Sequence, residues 1–412
     1  MQRGFSTSKV GARKGNMKER GPDRRQGPGR RAGETGARPL EGPPLVTCPH
    51  CGMLVPAGDF CGHCGAHLVT ASTSRTHAFA AVPSERVAHP SIITTLFPHL
   101  RHRRGGAFRW ALIAGGAAVL LLASQHLFAP ATIAATFLLP VLYLLYLYEV
   151  EVYEDEPWLL VAATMVTGAV LGYFFTGFAG DAVSRLDLTG DRENAFVLAG
   201  VAIPIVAQAL MLAGPLFLYL FRPRYREPLD GLTFGAASAL GFTLTSSLVA
   251  FWPLIGGPLV AQGAPLDWSL RLLRAGILVS LVNASTTALV TAAVWLQRYD
   301  RRRIGLPWTT SILATLVVAT VAQVILGMLG FVLSDLVIAT AIQLVATIAL
   351  LLYVRLVIHQ ALLVEGADHE IGPDAPCPEC HRVVPSMAFC PACGAARAAG
   401  TKHGRTRAGG VA

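Results

Sequence analysis

Residues 195–221 read AFVLAGVAIPIVAQALMLAGPLFLYLF, a run without any Asp, Glu, Lys, Arg or His. A helix over this run rises about 40 Å at ~1.5 Å per residue, which is enough to cross the ~30 Å of hydrocarbon in a bilayer. A surface helix of a soluble protein would carry a polar stripe, and this run has none. The run therefore predicts a transmembrane helix.

Seven further apolar runs extend this prediction to a whole domain. The chain is 53% hydrophobic and 14% charged, whereas soluble domains carry roughly a quarter charged residues. We therefore predict an all-α polytopic membrane helical bundle of about eight transmembrane helices. The other runs are 110–128, 131–148, 158–178, 229–252, 270–297, 308–329 and 332–354. Only Gly330 and Phe331 separate the last two runs, so a single broken or re-entrant segment is the alternative for that pair.

Two cysteine clusters flank the apolar region. In each cluster two Cys-x-x-Cys pairs are separated by nine residues. Each pair aims two thiolates at one point, so two pairs complete the tetrahedral four-sulfur shell that Zn²⁺ accepts. Such a shell has no open coordination position, which favours folding stabilisation and a docking surface over catalysis. The predicted zinc ligands are Cys48, Cys51, Cys61, Cys64, Cys377, Cys380, Cys390 and Cys393.

The two clusters repeat more than their cysteines, so they are interpreted as two copies of one zinc-ribbon module. The matched neighbours are Val55-Pro56 with Val384-Pro385, Phe60 with Phe389, and Gly65-Ala66 with Gly394-Ala395. A redox pair and an iron site are the alternatives, but four cysteines in two matched pairs within a short segment favour zinc. A cytoplasmic site would keep the thiols reduced, which favours a metal over disulfides. His50, His63 and His67 are interpreted as bystanders, although each could replace a cysteine ligand. Whether each cassette binds its own zinc or the two exchange pairs stays open.

Composition divides the chain into seven parts. The ends are rich in Gly, Pro and Arg and offer almost nothing apolar to bury, which is typical of disordered arms. We predict a disordered basic arm at 1–44, a zinc ribbon at 45–69, a linker at 70–106, the multi-pass membrane domain at 107–363, a linker at 364–376, a second zinc ribbon at 377–396 and a basic tail at 397–412.

The distribution of arginine predicts the orientation of the helices. The formal net charge is +9, and three Arg-rich stretches, RHRRGGAFR, FRPRYREP and QRYDRRR, fall on the same side when the helices alternate. Loops rich in Lys and Arg remain cytoplasmic. We therefore expect a cell-membrane protein with both termini and both zinc ribbons in the cytoplasm, in contact with membrane lipids.

Residues 228–242, PLDGLTFGAASALGF, resemble the corresponding stretch of PrsW-type intramembrane proteases. The resemblance implies a hydrolytic, metal-dependent centre built from a Glu-Glu-x-x-Lys motif, a Phe-x-x-x-Glu-Asn motif and a histidine. In this chain the matching positions hold Ala207, Gln208 and Met211, then Ser246 and Ser247 after Phe242, and finally Asn283. Neutral amides and hydroxyls neither hold a catalytic metal nor deprotonate water well. The resemblance therefore implies a degenerate relative with no catalytic residues.

Polar side chains within the apolar runs still need partners, because an unpartnered amide in hydrocarbon costs a few kcal/mol. We expect Gln208, Ser246, Ser247 and Asn283 to face one another. Interhelical hydrogen bonding that holds the bundle together is one explanation. A cavity that binds a transmembrane peptide without cleaving it is another, and residual catalysis is a third. Gln323 and Gln343 are interpreted as packing partners.

Three functions are compatible with these features. The first is a non-catalytic scaffold, sensor or regulator derived from an intramembrane protease fold, whose ribbons bind a cytoplasmic protein. The second is a divergent PrsW-type intramembrane metalloprotease that uses Gln208, Asn283 or an unrecognised group. The third is nucleic-acid binding, which is disfavoured because the cassettes have no basic finger with interleaved aromatic residues.

Overall fold

A computed structural model describes most of the apolar region and both cysteine clusters. The described residues are 44–49, 51–68, 106–149, 158–189, 192–222, 228–255, 265–300, 308–333, 335–367, 371–377 and 380–395. The predicted basic arm, the basic tail and nearly all of the 70–106 linker lie outside them, so these predictions stay predictions. His50 also lies outside the described residues.

The described part of the chain contains eleven α-helices, two π-helical turns, a short 3-10 turn at Trp308–Thr310 and four short strands. The first helices are α1 (Gly106–Ser124), α2 (Phe128–Glu149), α3 (Trp158–Thr189) and α4 (Arg192–Val197), and α4 continues through a π-helical turn, Leu198–Ala202, into α5 (Ile203–Phe221). Then follow α6 (Pro228–Ala250), α7 (Trp252–Ile255) and α8 (Pro265–Leu272), which continues through a second π-helical turn, Leu273–Leu278, into α9 (Val279–Asp300). The last are α10 (Ile312–Val332) and α11 (Leu336–Ala367).

Eight of the described helical stretches are long and apolar enough to cross a membrane, which confirms the predicted bundle. The last two apolar runs are separate helices, so the re-entrant alternative for them is wrong. The Asp335 carboxylate accepts hydrogen bonds from the backbone N–H groups of Val337 and Ile338, at 2.8 and 3.1 Å. This N-cap starts α11 as a new helix directly after α10 has ended.

The first boundary between spans differs from the sequence prediction. The predicted run 110–128 includes Phe128, but in the structure α1 ends at Ser124 and Phe128 already begins α2. Between them His126 adopts a left-handed φ of 59°. A non-glycine residue in this region breaks the regular helix, and hydropathy alone does not reveal that turn.

Helix α6 lies between α3 and α9, and small residues let the three backbones approach closely. A Cβ on Gly168 or Gly241 would collide with backbone across the α3–α6 interface, and one on Gly235 would collide with α9. Ser238, on the same helix, is fully buried and donates to the carbonyl of Met211 at 2.7 Å. Small residues at such contacts are typical of membrane helices, where association depends on close packing.

Each cysteine cluster belongs to a small module with its own β-hairpin. In the N-terminal module (residues 45–68) β1 (Leu45–Thr47) pairs antiparallel with β2 (Leu54–Pro56). In the C-terminal module (residues 372–395) β3 (Gly372–Pro376) pairs antiparallel with β4 (Val383–Ser386). The hairpins bring the two Cys-x-x-Cys turns of each module together. The C-terminal module packs on the bundle where α6 begins and α11 ends, and the N-terminal module packs on the C-terminal one. We call this end of the bundle the module face.

Candidate metal centres and the buried amide cluster

The four Cys-x-x-Cys turns share one pattern of backbone hydrogen bonds. In the first turn the carbonyl of Cys48 accepts from the N–H of Gly52, and the N–H of Cys48 donates to the carbonyl of Met53, both at 2.9 Å. The turns that start at Cys61, Cys377 and Cys390 repeat both bonds. The residue after the second cysteine has a left-handed φ in every turn, and these residues are Gly52, Gly65, His381 and Gly394. Three of the four are glycine because only glycine adopts this conformation without strain.

The sulfur atoms of each module converge on one point. In both modules the four Sγ atoms all lie within 4.8 Å of one another. The Sγ–Sγ distances are 3.8 Å for Cys48–Cys64 and for Cys51–Cys61. They are 3.7 Å for Cys377–Cys393 and 3.9 Å for Cys380–Cys390. A regular tetrahedron with Zn–S bonds of ~2.3 Å has sulfurs about 3.8 Å apart, so the eight predicted ligands fit two zinc ions.

Each module assembles its site from its own four cysteines, so the two cassettes do not exchange pairs. His63 and His67 belong to neither cluster. The ring of His67 instead packs edge-on against Phe60, with centroids 4.8 Å apart. Both histidines lie outside the sulfur clusters, and their role as bystanders stays a prediction.

Hydrogen bonds between the crowded sulfurs shift the pKa values of the thiols. A hydrogen bond from the Cys64 thiol lowers the pKa of Cys61 to about 5, and bonds from Cys377 and Cys393 lower that of Cys390 to about 3. The donating partners Cys64 and Cys393 have raised pKa values, because deprotonation would break these bonds. Burial raises the pKa of Cys51 to about 11. In each site the thiol whose pKa is lowered is the one most readily available as a thiolate to a cation.

The two modules pack against each other through reciprocal backbone hydrogen bonds. The N–H of Phe60 donates to the carbonyl of Pro391 at 2.9 Å, and the N–H of Phe389 donates to the carbonyl of Gly62 at 2.8 Å. Phe60 and Phe389 are equivalent in the internal repeat, as are Gly62 and Pro391. The contact is therefore pseudo-twofold, like the interface of a homodimer. Met387 completes it by packing into the core of the N-terminal module.

The C-terminal module also docks on the helical bundle. The ring of Phe389 is fully buried, with Ile358 of α11 as its buried neighbour and Leu229 and Leu232 of α6 beside them. Gly65 of the other module lies so close to the Phe389 ring that a Cβ on Gly65 would stand only 2.8 Å from the ring. Phe389 therefore joins three parts of the molecule: both modules and the module face of the bundle.

Six amide and hydroxyl side chains meet in the interior of the bundle, and we call them the amide cluster. They are Gln208 of α5, Thr243 of α6, Asn283, Thr286 and Thr287 of α9, and Gln323 of α10. Gln323 is central: its Nε2 donates to Asn283 Oδ1 at 2.8 Å, and Gln208 Oε1 lies 3.2 Å from the same nitrogen. Thr286 donates to Gln208 at 3.0 Å, and Asn283 Nδ2 donates to Thr243 at 2.9 Å. The cluster therefore ties four helices together.

The structure brings together two of the four polar residues that the sequence analysis expected to face one another. Gln208 and Asn283 both belong to the amide cluster. The inclusion of Ser246 was wrong, because its hydroxyl lies one turn further along α6 and points to the carbonyl of Gly172 in α3, 3.4 Å away. Ser247 takes no part in the hydrogen bonds of the cluster described above. Their place is taken by Thr243 and by Gln323, which had been interpreted only as a packing partner.

The amide cluster contains no group that is charged at physiological pH. Among the described residues, the only groupings of three or more His, Cys, Asp or Glu that could hold a metal are the two cysteine clusters. The sequence analysis gave no role to Asp230, a carboxylate that is buried in the first turn of α6. It lies 13 residues before Thr243, or about 20 Å along the helix at ~1.5 Å per residue. Asp230 is therefore too far away to serve the amide cluster.

Comparison with protein families agrees with the resemblance seen in the sequence. Residues 156–354 match the model of the PrsW family intramembrane metalloproteases, a segment slightly shorter than half of the chain. The match begins just before α3 and ends within α11, so it contains the whole amide cluster but neither cysteine module. No curated protein and no solved structure matches the chain. The protein thus combines a PrsW-like helical membrane domain with two four-cysteine clusters.

Proposed function

We propose that this protein is a non-catalytic membrane scaffold or sensor, in which a PrsW-like bundle supports a pair of zinc modules that bind a cytoplasmic protein. The observation that carries the proposal is the chemistry of the amide cluster. Its six side chains are neutral and bond to one another, whereas peptide hydrolysis needs a group that activates water or holds a catalytic metal. The residues that occupy the motif positions build contacts between helices.

The surface of the N-terminal module supports the second half of the proposal. The most exposed large apolar side chains of its hairpin are Leu45 at 55%, Met53 at 49% and Leu54 at 60%. The equivalent positions of the C-terminal module hold Asp374, Arg382 and Val383. An exposed apolar patch on a small module is typical of a protein interaction site. The C-terminal module therefore attaches the pair to the bundle, and the N-terminal module presents the binding surface.

Zinc fits the two sites better than other metals because both are closed tetrahedral four-thiolate shells. The cytoplasm is the compartment in which such thiols remain reduced. The Arg-rich stretch FRPRYREP directly precedes α6 in the sequence, and α6 begins at the module face. The positive-inside rule then places both modules, and their protein partner, in the cytoplasm.

Metal analysis and a turnover assay on the purified full-length protein in nanodiscs test the non-catalytic assignment. We expect two zinc ions per chain and no cleavage of a transmembrane peptide substrate. The Asn283→Ala variant should also contain two zinc ions, and its activity should equal that of the Gln125→Ala control, which alters an exposed amide outside the cluster. A third metal, or peptide cleavage that Asn283→Ala abolishes and Gln125→Ala retains, would contradict the proposal.

A pull-down after cross-linking in the native membrane tests the binding surface. Leu54→Ser leaves all eight cysteines intact but removes the centre of the apolar patch, and Val383→Ser is the matched change in the other module. We expect one reproducible cytoplasmic protein that Leu54→Ser and Cys48→Ser lose and Val383→Ser retains. Equal recovery with all variants would show that the N-terminal module is not the binding surface.

The second candidate function is a divergent intramembrane metalloprotease. The match to a protease family and the convergence of Gln208 and Asn283 at motif positions favour it. It would use Gln208, Asn283 or a further group for catalysis. A third metal, or peptide cleavage that Asn283→Ala abolishes, is the outcome that would support it.

A further inference from the structure

A cavity opens at the end of the bundle opposite the module face. Its volume is about 380 Å³, and it lies between α2, the π-helical turn after α8, the chain after α6 and the start of α11. The lining is mostly apolar and includes Phe251, Trp268 and Leu336. Two arginines, Arg271 and Arg274, also line it. None of these residues takes part in the metal sites or the amide cluster.

Both arginines line the same cavity, Arg271 from α8 and Arg274 from the π-helical turn that follows it. Arg274 is half-buried, and its Nε donates to the buried Gln343 Oε1 at 2.8 Å. A neutral amide orients the guanidinium but does not neutralise it. Gln343, interpreted from the sequence as a packing partner, is therefore a positioning residue for Arg274.

No carboxylate neutralises this pair of cations in the described part of the chain. Asp267 is exposed on α8, and the Asp335 carboxylate accepts from the backbone at the start of α11. The loop 256–264, outside the described residues, contains no Asp or Glu. The charge of the half-buried Arg274 at the edge of the hydrocarbon is costly unless an anion joins it. An anion from outside the chain, held by both guanidinium groups, would offset this cost.

The shape and position of the cavity favour a lipid over a soluble anion. The guanidinium fork matches phosphate oxygens bidentately, and the apolar lining suits the first carbons of an acyl chain. The ring of Trp268 stacks on Phe128 with centroids 4.5 Å apart, and tryptophan is typical of the depth at which headgroups lie. Arg274 belongs to the π-helical turn Leu273–Leu278, and such turns are frequent at functional sites.

We propose that this cavity binds one phospholipid through its phosphate, with Arg271 and Arg274 as the phosphate ligands and the apolar wall holding the start of an acyl chain. The site is at the opposite face from the zinc modules and does not depend on the function proposed above. It would fix a lipid between α2, α9 and α11.

Native mass spectrometry of the full-length protein tests the site with three probes: dioleoyl-phosphatidylglycerol, dioleoylglycerol without a phosphate, and free glycerol phosphate. We expect one tightly bound phosphatidylglycerol per chain and at least about tenfold weaker binding of the other two. If glycerol phosphate binds as tightly as the lipid, the site is for a soluble anion. If dioleoylglycerol does so, the arginines are not ligands. Either result overturns the proposal.

Charge-removing variants distinguish lipid binding in this cavity from a general effect of positive charge at the same face. Arg271→Gln together with Arg274→Gln should weaken phosphatidylglycerol binding at least about tenfold. Arg271→Gln alone changes an exposed side chain, so it preserves packing and should give a smaller loss. Arg185→Gln removes the same charge from an exposed position near the end of α3 at the same face and should bind lipid like the unaltered protein. A thermal unfolding temperature equal to that of the unaltered protein shows that a variant is folded, and a loss with Arg185→Gln equal to that with Arg271→Gln would refute the site.

Discussion

The two cysteine modules have the same ligands but different surroundings. Their sulfur spacings agree to about 0.2 Å, and all four turns share one hydrogen-bond pattern. Phe389 of the C-terminal module is fully buried against the bundle, whereas its equivalent Phe60 is partly exposed and packs on His67. The comparison shows that the ligand set determines the metal chemistry, while the residues between the ligands determine what each module contacts.

Loss of one metal site should have different consequences in the two modules, and this is the largest effect that we expect. Cys61→Ser and Cys390→Ser should each reduce the metal content from two ions to one, because binding of a structural metal contributes on the order of 10 kcal/mol to folding. Cys61→Ser should leave the C-terminal module docked on α6 and α11. Cys390→Ser should release both modules, since Phe389 is lost as the common contact.

Metal content together with hydrogen exchange at the module end of α11 measures this difference. Faster exchange around Ile358 is expected only for Cys390→Ser. Equal exchange in the two variants would mean that the N-terminal module is attached to the bundle independently.

Truncation of the two equivalent phenylalanines should reveal the same asymmetry without touching a ligand. Removing a fully buried Phe costs about 3–5 kcal/mol, so Phe389→Ala should strongly reduce the stability of the docked modules. Phe60→Ala should cost less than half as much, because its ring is partly exposed. The measurement is the rate of zinc release to a chelator, and similar rates for both variants would contradict the burial argument.

The next comparison is between two glycines with the same backbone conformation, and its expected effect on stability is smaller. Gly52 and Gly65 both have φ +73°, but a Cβ on Gly52 meets nothing within 4 Å, whereas one on Gly65 would stand 2.8 Å from Phe389. Gly52→Ala should cost only the strain of a left-handed residue, about 1–2 kcal/mol. Gly65→Ala should cost about 1–3 kcal/mol more, because overpacking adds to that strain. Thermal unfolding of the metal-loaded protein gives both values, and equal losses would show that the modules separate easily.

The smallest expected effect is a stabilisation at the position where the C-terminal module lacks a glycine. His381 has a φ of 59° at the place that glycine occupies in the other three turns. His381→Gly should therefore stabilise the module by about 1 kcal/mol, measured as slower zinc release. His381→Ala removes the imidazole but keeps the Cβ, so it should have little effect. An equal gain with alanine would assign the strain to the imidazole instead.

The sequence determined the features that depend on short stretches of chain. Each transmembrane helix is predicted by one apolar run, because the requirement to span hydrocarbon applies to each helix separately. Each metal site is predicted by four cysteines within 17 residues, since two tight turns suffice to gather them. The match to one protease family was also visible in the glycine-rich start of α6.

The tertiary structure alone decided which distant residues meet. Gln323 joins Gln208 and Asn283, while Ser246 turns to α3, because the rotation of each helix about its axis is fixed by its packing neighbours. The reciprocal contact of the modules and the cavity at Arg271 and Arg274 also join segments far apart in the chain. Hydropathy and residue spacing report local requirements. The contacts between helices and modules depend on the whole packed molecule.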